Sequence, residues 1–156
     1  QWCATRLNTD GTLDLTFSSG GSAPPGLVTT AIGASSSSSV NAALWQADGH
    51  IVLVGICYDS TAMFCSARYN ADGSIDTSWS STGLLVTPMT SLARAIDEFD
   101  AIVVQPGGKV TLVGTCYTGS TDARDFCSVR LLVNGKLDTS WNGTGKVFTP
   151  MSNVVG

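Results

Sequence analysis

Phe64 to Met89 reads FCSARYNADGSIDTSWSSTGLLVTPM, and the stretch returns at Phe126 to Met151 as FCSVRLLVNGKLDTSWNGTGKVFTPM. A third copy, WCATRLNTDGTLDLTF, occupies Trp2 to Phe17. Cys3, Cys65 and Cys127 are spaced 62 residues apart, as are Arg6, Arg68 and Arg130, and Asp14, Asp76 and Asp138. A fixed period of this size marks a repeat architecture.

Between the copies lies a second recurring unit. Ala42 to Gln46 and Ile51 to Tyr58 are apolar runs joined by Ala47-Asp48-Gly49-His50. Ala101 to Tyr117, AIVVQPGGKVTLVGTCY, matches them 59 residues on. The runs IVLVGI and VTLVGT are β-branched and continuous in hydrophobicity, which suits strands buried on both faces. In the Cys-Arg stretches, residues 2 to 8 read as a strand ending in the turn Asn8-Thr9-Asp10-Gly11. The run from Thr12 to Phe17 reads as its hairpin partner. Leu27 to Ile32 reads as a further strand. SSGGSAPPG (18–26) reads as a loop, the serine run 35–39 as flexible, and SLARAIDEFD (91–100) as one helical turn or a loop.

One full repeat is thus four strands in ~60 residues: an apolar hairpin, then a Cys-Arg-turn-Asp-Trp hairpin. Four-stranded units in tandem point to propeller blades. The expected fold is all-β, divided into a half repeat (1–33) and two repeats (34–94 and 95–156) within one continuous domain. The Cys-Arg-Asp hairpin occurs three times and the apolar hairpin twice, near two and a half repeats. A closed propeller has at least about four blades, so an open arrangement is expected.

RYNADGSIDTSW with STGLLVT, RLLVNGKLDTSW with GTGKVFT, and AIVVQPGGKVTLVGT together resemble the delta-60 repeat, a bacterial tandem repeat of roughly sixty residues. The resemblance covers nearly the whole chain. It implies a propeller-like fold and a place in secreted or surface proteins. It carries no established catalytic residues. The cysteines and the insertions SAPPG and IDEFD depart from the family's pattern.

Composition bounds the function. Hydrophobic residues make up 43% and charged residues 13%, the formal charge is −4, and no apolar run approaches the ~20 residues of a membrane span. Eight Lys and Arg spread along the chain give no basic stripe for nucleic acid. No signal peptide is visible at Gln1, which reads as a mature or trimmed product.

The candidate chemistry is mostly structural. Cys57 closes one strand and Cys65 opens the next, and Cys116 and Cys127 stand in the same places. Two local disulfides, Cys57–Cys65 and Cys116–Cys127, are expected, and with them an oxidising compartment. Cys3 then stays unpaired or bonds between molecules. Arg6–Asp14, Arg68–Asp76 and Arg130–Asp138 read as structural pairs that fix each hairpin. Asn70, Asp72, Ser74 and Asp76 alternate like a calcium loop, as do Asn8, Asp10, Thr12 and Asp14, but Leu132, Asn134 and Lys136 break the pattern. No metal or cofactor is expected. Phe17, Trp79 and Trp141 share one repeat position and read as packing residues rather than a sugar-stacking face; Trp45 and Tyr58 are further aromatics. His50 is the sole histidine and sits in a turn, so it assembles no catalytic constellation. Asn142-Gly143-Thr144 is a glycosylation sequon.

These features favour a secreted, non-enzymatic structural or surface repeat protein. Its partners are copies of itself, head to tail, or the rest of a longer chain, and it would form a filament, fibre or adhesin. The alternative is a carbohydrate- or protein-binding propeller module of a larger secreted protein; an enzyme is the least supported reading.

Overall fold

The computed structural model describes residues 1–18, 23–34, 37–59, 62–89, 98–117 and 124–151. They form ten β-strands and no helix. The strands are β1 (Trp2–Thr5), β2 (Leu27–Thr30), β3 (Ser39–Trp45), β4 (Ile51–Tyr58), β5 (Ala62–Tyr69), β6 (Leu84–Thr87), β7 (Glu98–Val104), β8 (Val110–Tyr117), β9 (Arg124–Leu131) and β10 (Lys146–Thr149). Neighbouring strands pair antiparallel into one two-stranded sheet, β1-β2, and two four-stranded sheets, β3-β4-β5-β6 and β7-β8-β9-β10. The stack is open.

The three sheets stack in chain order, and alternation of side chains along each strand decides what meets what. Val52, Val54 and Phe64 point from the middle sheet toward the third, where Val110, Leu112, Val129 and Leu131 meet them. Leu53, Ala67 and Tyr69 point the other way, onto Trp2, Phe17, Val28 and Ile32. The middle sheet is therefore covered on both faces, and every residue of β5 is buried. That double cover is why IVLVGI is continuously apolar instead of alternating.

The fourth strand of each repeat is not where the sequence pattern puts it. Thr12 to Phe17, expected as a hairpin strand, is a turn region that meets the residues just after β1 through the bridge Leu7↔Leu13 and through the Asp14 N–H, which donates to the Arg6 carbonyl at 2.9 Å. The partner of β5 is β6, drawn from STGLLVT, and β2 and β10 stand in the same place beside β1 and β9. The reason lies in Asp76. Its backbone N–H reaches the Arg68 carbonyl, while its carboxylate accepts the N–H and hydroxyl of Ser78 at 3.0 and 2.7 Å. A carboxylate that caps the chain two residues on bends it into an Asx turn, which competes with a ladder.

Other bounds shift by a few residues. β1 stops at Thr5 and β2 at Thr30, whereas β3 starts at Ser39, earlier than the expected Ala42. β7 starts at Glu98 rather than Ala101, so Glu98 to Asp100 belong to a strand. The rest of the expected helical turn or loop, 91–97, lies outside the described residues, as do 19–22 and 35–36.

Candidate functional site

β4 and β5 pair so that Gly55 lies opposite Cys65, and β8 and β9 so that Gly114 lies opposite Cys127. Cys57 and Cys116 stand two residues beyond these glycines and bond diagonally, with Cα–Cα distances of 5.9 Å for Cys57–Cys65 and 6.0 Å for Cys116–Cys127. Gly55 is obligatory at the accompanying bulge, because a Cβ there would lie 1.9 Å from the Ser39 carbonyl oxygen. Both bonded pairs sit on the face turned toward the preceding sheet. Cys3 occupies the same face of β1, exposed and unbonded. The two disulfides fit an oxidising environment.

Each arginine meets its aspartate. Arg6 Nε lies 2.7 Å from Asp14 Oδ2, Arg68 Nε 2.6 Å from Asp76 Oδ2, and Arg130 Nε 2.7 Å from Asp138 Oδ2. Nη2 donates to the hydroxyl of Thr16, Ser78 or Ser140 in turn. The guanidinium lies over the aromatic of its own repeat, with ring-centroid distances of 5.0 Å for Phe17, 4.7 Å for Trp79 and 4.3 Å for Trp141.

The remaining nitrogen leaves the repeat. Arg68 Nη1 donates at 2.7 Å to the carbonyl of Val133 in the next repeat's turn. Arg6 Nη1 donates to the equivalent carbonyl, Ala71. Two more contacts accompany each reach. The N–H of Ser18 donates to Asp72 O at 2.6 Å, and that of Ser80 to Asn134 O at 2.7 Å. Ser18 and Ser80 have φ values of 58° and 49°, a left-handed bend that turns the N–H toward the next repeat. Gly73 and Gly135 press on the aromatic rings; a Cβ would lie 2.9 Å from Phe17 in the first case and 2.3 Å from Trp79 in the second. An arginine, an aromatic ring and a left-handed residue of one repeat thus hold an Asx-Gly turn of the next. Intra-repeat spacing pointed to the Arg–Asp pairs; the forward reach crosses 65 residues and has no local signal.

A further side-chain nitrogen approaches two of the aspartates. Lys109 Nζ lies 2.8 Å from Asp138 Oδ2, and His50 Nε2 lies 3.5 Å from Asp76 Oδ2. His50 and Lys109 fill the same turn position, so the histidine is a neighbour of the Arg–Asp pair. The Lys109 ammonium, the Ser140 hydroxyl and Arg130 hold the Asp138 carboxyl far below the usual range, against burial. At Asp76 burial pushes upward, but Ser78 and Arg68 outweigh it. At Asp14 the Thr16 hydroxyl leads the lowering.

The alternating oxygens that resemble a calcium loop are engaged with one another. Asp10 Oδ1 accepts Thr12 N at 2.9 Å, and Asp72 Oδ1 accepts Ser74 N at 2.9 Å. Among the described residues no three His, Cys, Asp or Glu gather as a metal site. Phe17 and Trp79 are buried, Trp141 is half-buried, and Trp45 is exposed. Asn142 is exposed, its Nδ2 3.2 Å from the Lys146 carbonyl. No helix of the described residues is long and apolar enough to cross a membrane.

A family model described as a domain of unknown function (DUF5122) beta-propeller matches residues 3–17 and 46–78. The matched segments hold the first Cys-Arg-Asp stretch and the heart of the middle repeat. The likeness supports a propeller-like repeat, in agreement with the four-stranded sheets. No curated protein and no solved structure matches the chain.

Proposed function

We propose that this chain is a non-enzymatic structural repeat module of the delta-60 kind, secreted or held at the cell surface, that builds larger assemblies by stacking blade on blade. The observation that carries the reading is the outer face of the β7–β10 sheet. Phe64 is 1% exposed and Met89 4% exposed beneath the next sheet, whereas their equivalents Phe126 and Met151 are 44% and 57% exposed. Val103 joins them at the surface. A face of this composition, whose counterpart inside the same chain is covered, is suited to burial against another blade.

Sedimentation velocity over a concentration series, with electron microscopy of the same samples, tests this. The wild type is expected to form species larger than 16.1 kDa, and Phe126→Asp to lose them. A wild type that stays monomeric throughout overturns the proposal. The exposed Trp45 keeps one second reading in view, a sugar- or protein-binding module; binding on a glycan array that Trp45→Ala abolishes would favour it.

A further inference from the structure

The contact between repeats has two sides, and among the described residues each occurs once without its counterpart. The receiving side is formed by Arg6, Phe17 and Ser18, again by Arg68, Trp79 and Ser80, and a third time by Arg130, Trp141 and Asn142. The entering side is the turn Ala71-Asp72-Gly73, again Val133-Asn134-Gly135, and, at the front of the chain, Thr9-Asp10-Gly11. The first two receivers are filled by the second and third turns.

The third receiver has the same geometry. Arg130 stands over Trp141 at 4.3 Å, and Asn142 has φ 50°, matching Ser18 and Ser80. Among the described residues Arg130 Nη1 and the Asn142 N–H find no acceptor. The unmatched turn has the same fold as the other two. Gly11 N donates to Asn8 O at 3.0 Å, as Gly73 N does to Asn70 O at 2.9 Å. Gly11 has open space about its Cα, where Gly73 and Gly135 meet rings. Apolar exposure follows the same pattern: Leu7, on the front of this turn's repeat, is 59% exposed, while its equivalents Tyr69 and Leu131 are 1% and 0% exposed.

We infer that a second copy of this chain docks its Asn8–Gly11 turn on Arg130, Trp141 and Asn142. In the docked pair Arg130 Nη1 donates to the Thr9 carbonyl, the Asn142 N–H donates to the Asp10 carbonyl, and Gly11 lies on the Trp141 ring. A copy of this chain fits the receiver because its Asn8–Gly11 turn has the fold that the first two receivers hold, and its exposed Leu7 supplies an apolar cover for the exposed Phe126. The contact is heterologous, so it propagates head to tail. This rests on the stacking reading above and gives it a defined contact.

The test is a crossed mixing experiment read by sedimentation velocity, with circular dichroism to show that each variant folds. Gly11→Asn tolerates positive φ and places a side chain where the Trp141 ring must lie. Trp141→Glu removes the ring and draws Arg130 away from the incoming carbonyl; if it fails to fold, Arg130→Lys, which keeps a charge for Asp138 but lacks the fork, takes its place. Each variant alone is expected to associate about tenfold more weakly than wild type, or worse. The two mixed are expected to give a dimer, because one keeps the receiver and the other the turn. If Gly11→Asn assembles like wild type, or the mixture stays monomeric, the docking contact is overturned while the stacking reading stands on the Phe126→Asp result. A monomeric wild type overturns both. Docking to a different repeat protein while the wild type ignores itself would likewise overturn the choice of a second copy.

Discussion

Arg68 Nη1 and the carbonyl of Val133 lie 2.7 Å apart across the seam between the second and third sheets, while Nε of the same guanidinium holds Asp76 at 2.6 Å. One side chain therefore fixes its own turn and the position of the next repeat. Arg is suited to this because its planar fork places several donors in fixed directions, which Lys lacks.

Arg68→Ala should destabilise the protein by about 3–5 kcal/mol in urea or guanidinium denaturation, since it strands the Asp76 carboxylate in a buried site. Arg130→Ala should cost clearly less, because Arg130 holds no carbonyl across a seam among the described residues. Equal losses at the two positions would show that the forward contact contributes nothing.

Gly135→Ala should be severe and Gly11→Ala mild in dilute protein. At Gly135 a methyl group would lie 2.3 Å from Trp79 and φ is +77°, so overpacking and backbone strain combine to about 2–4 kcal/mol. At Gly11 only the strain remains, about 1 kcal/mol. Denaturation midpoints of the two variants check the ordering.

The disulfides close loops with sequence separations of 8 and 11 residues. Chain-entropy arguments give about 2.5–3 kcal/mol for loops of this size. Non-reducing peptide maps should recover Cys57 with Cys65 and Cys116 with Cys127, leaving one alkylatable thiol at Cys3. Reduction should lower the denaturation midpoint without changing far-ultraviolet circular dichroism of the folded form.

Acid should destabilise the fold through Asp14, Asp76 and Asp138, whose carboxyls all sit below the ordinary value. A depressed folded pKa gives stability that is fully present above the unfolded value, about 4, and is lost as pH falls through the folded values. Thermal midpoints should be flat with respect to these groups from neutral pH down to about 5 and fall steadily below about 4. Asp138→Asn should flatten part of the acid limb. An unchanged limb in that variant would count against the assignment.

Much of this was readable from spacing. The period exposes the repeat, Cys57 and Cys65 flank one connection, and Arg68 and Asp76 sit where a tight turn brings them together. The fourth strand was misread because Ile75-Asp76-Thr77-Ser78-Trp79 has strand-like composition, and composition does not show that the Asp76 carboxylate will cap Ser78. The seam was not readable at all. Val133 offers only a carbonyl, which every residue has, and Ser80 only an N–H in an unusual bend. His50 was read as an isolated turn residue because its neighbour Asp76 comes from a different turn.

The arginine and serine contacts that hold the turns run one way: Arg6, Phe17 and Ser18 receive a turn that lies later in the chain, and Arg68, Trp79 and Ser80 do the same. During synthesis the receiving side of each repeat therefore leaves the ribosome before the turn it will hold. Each new repeat meets a finished surface instead of waiting for one, so docking keeps pace with translation and exposes little of the growing chain. Ribosome-stalled chains in which Met89 has just cleared the exit tunnel should already carry Gly73 against Phe17, measurable as protection of the Gly73 amide region from exchange.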